Sequence, residues 1–350
     1  MSHIEKAQEI ESLINALNNR HWRTRNEAAD ALIQIGLPAV EPLMDAIRNS
    51  RFGYHYLSEA ARALGSIGDK RAVNLLIDVL ASDHVHAAQE AAKTLGYIGD
   101  PKAVEPLISV FRHDWDDEET ITAWQMASKA LADIGQPALP ALRVALKDEN
   151  CIVRQYVVYA LGQFKNVQVI PDLIGMIQDN DRLVRATMAE ALGHVGEQQA
   201  IEPLVTLLTD KDAYVRQRTC YAIGKLGGLK AFDPLINALS DPDPATRTAA
   251  IINLVKIDKK QDAIPNSKEH HIVTEYLSQE QKERILTLLL EALQDSTGIV
   301  RAAAAYALGQ QGDQRALPAL YQLQQNDTEY AGADRVCDSA LRAIQSIQKC

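Results

Sequence analysis

The sequence has few aromatic residues, few cysteines and no long hydrophobic run. Aromatic residues make up 5% of the 350 positions and hydrophobic residues 47%, so alanine and leucine supply most of the apolar side chains. No run of about 18 apolar residues is present, so no membrane-spanning helix is predicted. The four cysteines are too sparse for a disulfide framework and lack zinc-finger spacing. They are Cys151, Cys220, Cys337 and Cys350.

The chain carries no excess of positive charge. It has 46 acidic and 36 basic residues, a formal net charge of −10. Because binding to a phosphate backbone requires clustered Lys and Arg, no specific nucleic-acid binding is expected. Charges interrupt the apolar positions of the first stretch, MSHIEKAQEIESL, and no small-residue cleavage site follows, so we expect no secretory signal. A cytoplasmic protein is predicted.

Motifs for nucleotide binding and hydrolysis are also absent. The sequence contains no GxxxxGK[ST], no GxGxxG after a strand, no HExxH and no GxSxG. His84 and His86 lie two residues apart at a predicted helix start, so they would not share a helical face. We therefore predict no catalytic residues and no metal site.

A repeat dominates what the sequence does contain. Four arginines recur at intervals of 31 residues: Arg154, Arg185, Arg216 and Arg247. Around them runs a phrase such as DAYVRQRTCYAIGKLG (212–227), which follows a second phrase such as AIEPLVTLL (200–208). Both phrases place apolar residues at helical spacing, and a glycine marks the end of the first. Each repeat therefore predicts a pair of helices.

We predict an all-α fold, an α-solenoid (superhelix) of about ten such pairs. Helix A carries the AVEPL phrase and helix B the VRxxAAxALG phrase. One pair cannot bury its own apolar face, so stacked pairs bury it against their neighbours. Residues 1–350 are expected to form a single array. A polar insertion at 259–281 is expected to separate the eighth pair from the ninth.

An Asp–Arg spacing recurs at the start of helix B, as in Asp181–Arg185 and Asp212–Arg216. We interpret it as a structural ladder, in which Asp caps the helix and Arg bridges to the loop of the next repeat. A row of anion-binding arginines is the alternative. Cys220 takes the register of Ala189 and is predicted to be a packed thiol, whereas Cys151 stands at a helix start, where the dipole lowers the pKa of an exposed thiol.

The helix-B positions that flank the repeated letters are predicted to line a concave groove. Tyr and Arg are frequent in binding hot spots, and both occur there. The candidate partner-binding residues are Tyr156, Tyr159, Arg182, Glu190, His194, Tyr214, Gln217, Arg218, Tyr221 and Lys225. The same registers of the third and fourth pairs hold His86, Gln89, Lys93, Tyr97, Gln125, Met126 and Lys129. The alternative is that these tyrosines only cover neighbouring repeats.

The string VRxxAAxALGxIGDxxAVEPLxxAL, which describes residues 10–348 apart from the insertion, is similar to the HEAT-like repeat of the phycobilin lyase family. The resemblance implies an α-solenoid. For the lyases it implies a chaperone-like act, in which an open-chain tetrapyrrole is delivered to, or removed from, a cysteine of a phycobiliprotein subunit, often by paired related subunits. Deoxyhypusine hydroxylase, another HEAT-type family, binds iron through His-Glu dipeptides. This sequence has none, so that enzyme is excluded.

The leading hypothesis is a protein-binding scaffold or chaperone-type solenoid that uses its concave helix-B groove and needs no cofactor. The alternative is a phycobilin lyase or lyase-like chaperone, with the phycobilin as a transferred ligand and proximity to the acceptor cysteine supplying most of the catalysis. The chain is an enzyme only in that alternative. The expected partner is a protein, with a phycobiliprotein subunit or a related HEAT-repeat subunit as the specific candidates. A nucleic-acid-binding HEAT protein of the DNA-glycosylase kind is disfavoured by the acidic charge.

Overall fold

The structure, a computed structural model, describes residues 3–49, 54–115, 118–164, 166–262 and 277–349. Within these ranges, twenty α-helices follow one another as ten pairs, and the only strands form a two-stranded antiparallel ladder of two residues each. The predictions of an all-α fold and of about ten helix pairs are confirmed.

The helices alternate between the A and B positions of the pairs. Helices A are α1 (His3–Ala16), α3 (Val40–Arg48), α5 (Val73–Leu80), α7 (Val104–Ser109), α9 (Leu139–Ala145), α11 (Ile170–Ile174), α13 (Ile201–Leu207), α15 (Phe232–Ala238), α17 (Gln279–Ala292) and α19 (Leu317–Asn326). Helices B are α2 (Trp22–Ile35), α4 (Tyr54–Ile67), α6 (Val85–Ile98), α8 (Thr120–Ile134), α10 (Cys151–Gln163), α12 (Arg182–Val195), α14 (Ala213–Leu226), α16 (Pro244–Asp262), α18 (Gly298–Gln311) and α20 (Val336–Ile347). Strands β1 (Tyr330–Ala331) and β2 (Asp334–Arg335) lie between α19 and α20.

The chain turns from helix B into the next helix A with a recurring local structure, which the segment after α6 illustrates. Gly99 ends α6 in the left-handed region, with a φ of 67°. The carboxylate of Asp100 then accepts the backbone N–H of Lys102, which starts a short 3-10 turn. Pro106 is the third residue of α7, within the first turn of the helix, where its missing N–H costs no intrahelical hydrogen bond.

Successive helices B approach each other closely because the third letter of the ALG phrase is a glycine. A Cβ atom added at Gly96 of α6 would lie 2.8 Å from the Cα atom of Ala130 in α8. At Gly309 of α18, the same atom would lie 2.7 Å from the Cα atom of Ala343 in α20. At these distances a Cβ atom would force the two helices apart, so packing favours glycine. Leucines such as Leu95 and Leu131 fill the buried layer beside these contacts.

The described chain divides into two compact units, Met1–Asp172 and Leu173–Cys350, and each is a stack of helix pairs. That all pairs form a single array stays a prediction. Of the insertion predicted at 259–281, residues 259–262 continue α16 and residues 279–281 begin α17. Residues 277–278 lead into α17, with Ser278 as its N-cap, and residues 263–276 lie outside the described residues. No helix of the described ranges is long and apolar enough to cross a membrane.

Candidate partner-binding surface on helices B

A ladder of arginine–aspartate pairs connects consecutive helix pairs of the second unit. The Nε of Arg185 lies 2.6 Å from Oδ2 of Asp210, and the Nε of Arg216 lies 2.7 Å from Oδ2 of Asp241. The ladder continues with two further pairs, Arg247–Asp295 and Arg301–Asp327.

Three of these aspartates, Asp210, Asp241 and Asp295, also bind the next arginine along the chain through their backbone carbonyls. The backbone carbonyl of Asp210 accepts a hydrogen bond from Nη1 of Arg216, and the carbonyl of Asp241 accepts one from Nη1 of Arg247. The helix caps are as predicted: the carboxylate of Asp181 accepts the N–H of Leu183. Because these guanidinium groups are occupied by carboxylates, the prediction of a structural ladder is confirmed over that of an anion-binding row.

The ladder carboxylates stay ionised because hydrogen bonds from their arginines favour the charged form more than burial disfavours it. Burial raises the pKa of Asp241. Hydrogen bonds from Arg216 and from the backbone N–H of Asp243 lower this pKa by more than burial raises it, so it lies below the ordinary value. The hydrogen bond to Asp241 likewise raises the pKa of Arg216. Both partners are therefore charged at neutral pH.

In the first unit, Trp124 of α8 occupies the helix-B position that an arginine of the ladder occupies in the second unit. It stands seven residues before Leu131, as Arg216 stands before Ile223. The indole Nε1 of Trp124 donates to the backbone carbonyls of Val110 and His113, at 3.1 Å each. An indole thus supplies the loop contact that a guanidinium supplies elsewhere, and it presents an apolar ring to α10.

Tyr156 packs against that ring, which corrects its predicted place in the groove. Its ring centroid lies 5.1 Å from that of Trp124 and 5.6 Å from that of Phe111. Only 9% of Tyr156 is exposed, and burial raises the pKa of its hydroxyl. Tyr156 is therefore a core residue. The neighbouring Tyr159 is half-buried, at the edge of the same cluster.

The second unit brings four of the predicted residues together. Tyr214, Arg218 and Tyr221 follow one stripe of α14, and the Cζ of Arg218 lies 5.8 Å from both tyrosine ring centroids. The Nε of Arg218 donates to the carboxylate of Glu190 on α12, and this hydrogen bond raises the pKa of Arg218. Tyr214 is 39% exposed.

Lys256 of α16 completes this cluster, with its Nζ 5.9 Å from the ring centroid of Tyr221. It was missed in the sequence, although it lies 31 residues after Lys225 and so takes the same register. We call the group the tyrosine–arginine surface. It consists of Glu190, Tyr214, Arg218, Tyr221 and Lys256.

The other predicted residues lie around this surface or away from it. Arg182 is exposed and pairs with Asp212 at 3.5 Å. Gln217 is half-buried, while His194 and Lys225 are exposed near the ends of α12 and α14. In the first unit, a shallow cleft of about 210 Å³ lies between α6 and α8. Its lining includes Lys93, Tyr97, Met126 and Lys129.

Of the described cysteines, Cys220 is packed in the core and Cys151 lies at a helix start. Cys220 is fully buried, which raises the pKa of its thiol to about 12, so the prediction of a packed thiol is confirmed. Cys151 is half-buried and is the first residue of α10, as predicted. Across the described ranges, no group of three or more His, Cys, Asp or Glu side chains is placed to hold a metal ion.

Stacked helix pairs with a repeated ladder define the class of α-solenoid repeat proteins. The model of the HEAT-repeat family matches residues 40–127, 139–218, 201–269 and 263–334. These segments cover more than half of the sequence, so the chain belongs to the HEAT-repeat family. No curated protein matches it significantly.

Solved structures with the same fold include two large solenoids. Importin β is 14% identical, with 98% of this chain and 52% of that chain covered at a TM-score of 0.54. Kap121p is 12% identical, with 97% and 41% covered at a TM-score of 0.62. A phycocyanin lyase complex, CpcE with CpcF from Nostoc sp. PCC7120, is 23% identical, with 71% and 94% covered at a TM-score of 0.35. The first two likenesses show the fold alone.

Proposed function

We propose that this HEAT-repeat chain is a cytoplasmic scaffold that binds a protein partner through its tyrosine–arginine surface. The observation that supports the proposal is the partly exposed stripe of α14, in which Arg218 lies between the exposed Tyr214 and the half-buried Tyr221. Tyr and Arg are the side chains that most often dominate protein–protein binding energy. The scaffold needs no cofactor and no catalytic residue for this role.

The surface is preorganised, which favours binding. Glu190 and the two tyrosine rings hold the Arg218 side chain in one place, so less side-chain entropy is lost when a partner binds. The surface also stands on helices α12, α14 and α16, which the ladder connects through Arg185 and Arg216. Sites on rigid helices keep their geometry better than sites on loops.

A second candidate function has support from the same side chains. Tyrosine faces beside the cations Arg218 and Lys256 are suited to a tetrapyrrole, whose rings stack and whose propionates pair with cations. The chain would then act as a bilin lyase or lyase-like chaperone on a phycobiliprotein subunit, alone or with a related HEAT-repeat subunit. Titration with phycocyanobilin tests this candidate. A changed visible absorbance and induced circular dichroism support it, and an unchanged spectrum rejects it.

The lead proposal is tested by comparing two surfaces of the second unit. The binding variant combines Tyr214→Ala, Arg218→Glu and Tyr221→Ala. The control variant combines Val205→Ala on helix α13 with Lys230→Glu in the 3-10 turn before α15; both positions are exposed, and one positive charge is again reversed. Partner proteins recovered with the wild-type chain should be lost with the binding variant and kept with the control. Equal recovery with both variants, at unchanged melting temperatures, contradicts the proposal.

A further inference from the structure

The two cations beside Tyr221 have N–H donors that no described residue accepts. Arg218 donates to Glu190 through Nε, and its Nη groups make no hydrogen bond with the described residues. Lys256 contacts the Tyr221 ring and forms no ion pair within the described ranges. A guanidinium fork and an ammonium group thus flank one tyrosine ring. This contrasts with the ladder arginines, whose forks bind carboxylates.

The tyrosine hydroxyls extend this set of donors. Neither Tyr214 nor Tyr221 uses its hydroxyl in a hydrogen bond to another described residue. Two cations, Arg218 and Lys256, stand beside one carboxylate, that of Glu190, so these three side chains sum to a charge of +1, whereas the whole chain carries −10. The face therefore attracts an anion although the protein as a whole repels one.

We propose that the tyrosine–arginine surface binds an acidic linear segment of the partner protein, an inference that rests on the proposed function. The Nη fork of Arg218 takes one Asp or Glu carboxylate in a bidentate arrangement, and Lys256 takes the same carboxylate or a neighbouring one. Apolar atoms of the segment cover the exposed ring of Tyr214. Together these two cations can bind one or two carboxylates of the segment.

A nucleic acid is a poorer occupant of this face. Its phosphate charges are continuous, and tight binding requires many Lys and Arg contacts along the backbone. Arg218 and Lys256 are the two cations that this surface offers for such contacts. A short acidic peptide can present its charge only where the cations are.

A library of short linear peptides, selected on the full-length protein, tests the inference. We expect the selected peptides to be enriched in Asp and Glu, and their affinity to fall as the salt concentration rises. Arg218→Gln and Lys256→Gln should each weaken binding about tenfold, because each removes a charged hydrogen bond. Lys230→Gln removes an exposed positive charge away from the surface and should leave binding unchanged.

One variant should change binding in the opposite direction, which a merely damaged protein would not do. Glu190→Gln removes the carboxylate that competes for Arg218, so acidic peptides should bind several-fold more tightly. Arg218→Lys keeps the charge but loses the planar fork, so its affinity should lie between those of the wild type and Arg218→Gln.

The outcomes separate this inference from the proposed function. Neutral or basic peptides whose binding is lost in Tyr214→Ala and Tyr221→Ala would overturn the acidic segment and leave the partner-binding surface in place. A single-stranded oligonucleotide that binds these residues more tightly than an acidic peptide of equal charge would overturn the choice of a peptide. Selected peptides that no substitution on this surface affects, or no selected peptide at all, would contradict the inference. If peptides are selected but no substitution on this surface affects their binding, the proposed function is contradicted together with the inference.

Discussion

The carboxylate of Asp241 binds the guanidinium of Arg216 through two hydrogen bonds, from Nε at 2.7 Å and from Nη2 at 2.8 Å. The two residues belong to consecutive helix pairs, and both side chains are almost buried, at 12% and 8% exposure. A helical repeat has few long-range contacts besides those to its neighbours. This ion pair is therefore one of the contacts that hold one repeat against the next.

Removal of one partner of this pair should be costly. Asp241→Ala leaves the Arg216 guanidinium nearly buried without its carboxylate, and we expect the free energy of unfolding to fall by about 3 kcal/mol. The double variant Arg216→Met with Asp241→Leu should cost less than Asp241→Ala alone, because no charge is left buried. Urea unfolding measures both. As a control, Asp45→Ala breaks a pair exposed at 49% and 64%, and should cost about 0.5 kcal/mol or less.

Acid should weaken the protein through the same carboxylates. In each, burial acts to raise the pKa but is outweighed by hydrogen bonds from an arginine and a backbone N–H, so the folded pKa is lowered. They are Asp210, Asp241, Asp295 and Asp327. The unfolded chain then binds these protons at higher pH than the folded chain does, and stability is lost as pH falls through the folded pKa values.

We therefore expect the urea midpoint to stay constant down to about pH 5 and to fall steeply below about pH 4. Asp241→Asn should start from a lower midpoint and lose less of it on acidification, because one titrating group is gone. A midpoint that falls mainly above about pH 5, or a variant as acid-sensitive as the wild type, would contradict the role of the ladder.

A single methyl group should disturb the contact between α18 and α20. Gly309→Ala gains about 1 kcal/mol in helix propensity. Its Cβ atom, however, would lie 2.7 Å from the Cα atom of Ala343, and overpacking of this kind costs about 1 to 3 kcal/mol. The net effect should be a loss of about 1 kcal/mol, measured by thermal or urea unfolding. Increased stability would show that the two helices are not so close.

Cysteine alkylation should distinguish the packed thiol from the others. Cys220 is buried and its pKa is raised to about 12, so it should resist iodoacetamide at neutral pH. Cys151 and Cys337 are half-buried and should react first. Mass spectrometry of the digested protein assigns each modified site, and urea should make Cys220 react as fast as the others. Rapid labelling of native Cys220 would mean that solvent reaches the packed side of α14.

The repeated sequence motif predicted the fold well because each repeated residue has one structural role. The spacing of Asp212 and Arg216 predicted a cap and a bridge, and both are present. The prediction failed at Tyr156, because Trp124 replaces the ladder arginine in the preceding pair and buries that tyrosine. A register places a residue on a helix face, but the size of its neighbour in the adjacent repeat decides its exposure.

The candidate surface was only partly predictable for a related reason. Tyr214, Arg218 and Tyr221 share one helix, so their contacts follow from helical spacing alone. The pairing of Arg218 with Glu190 and the position of Lys256 depend on how neighbouring repeats are rotated against each other. The repeat length places these residues in matching registers, but it does not give the distances between them.

Photo-cross-linking from one position on each side of the second unit tests the account most directly. Benzoylphenylalanine is placed at Tyr214, on the tyrosine–arginine surface, or at Val205, an exposed residue of helix α13. After illumination in the native host, the chain should form a covalent adduct with one partner protein from position 214 and none from position 205. Cross-links from position 205 alone, or of equal yield from both, would contradict binding through helices B.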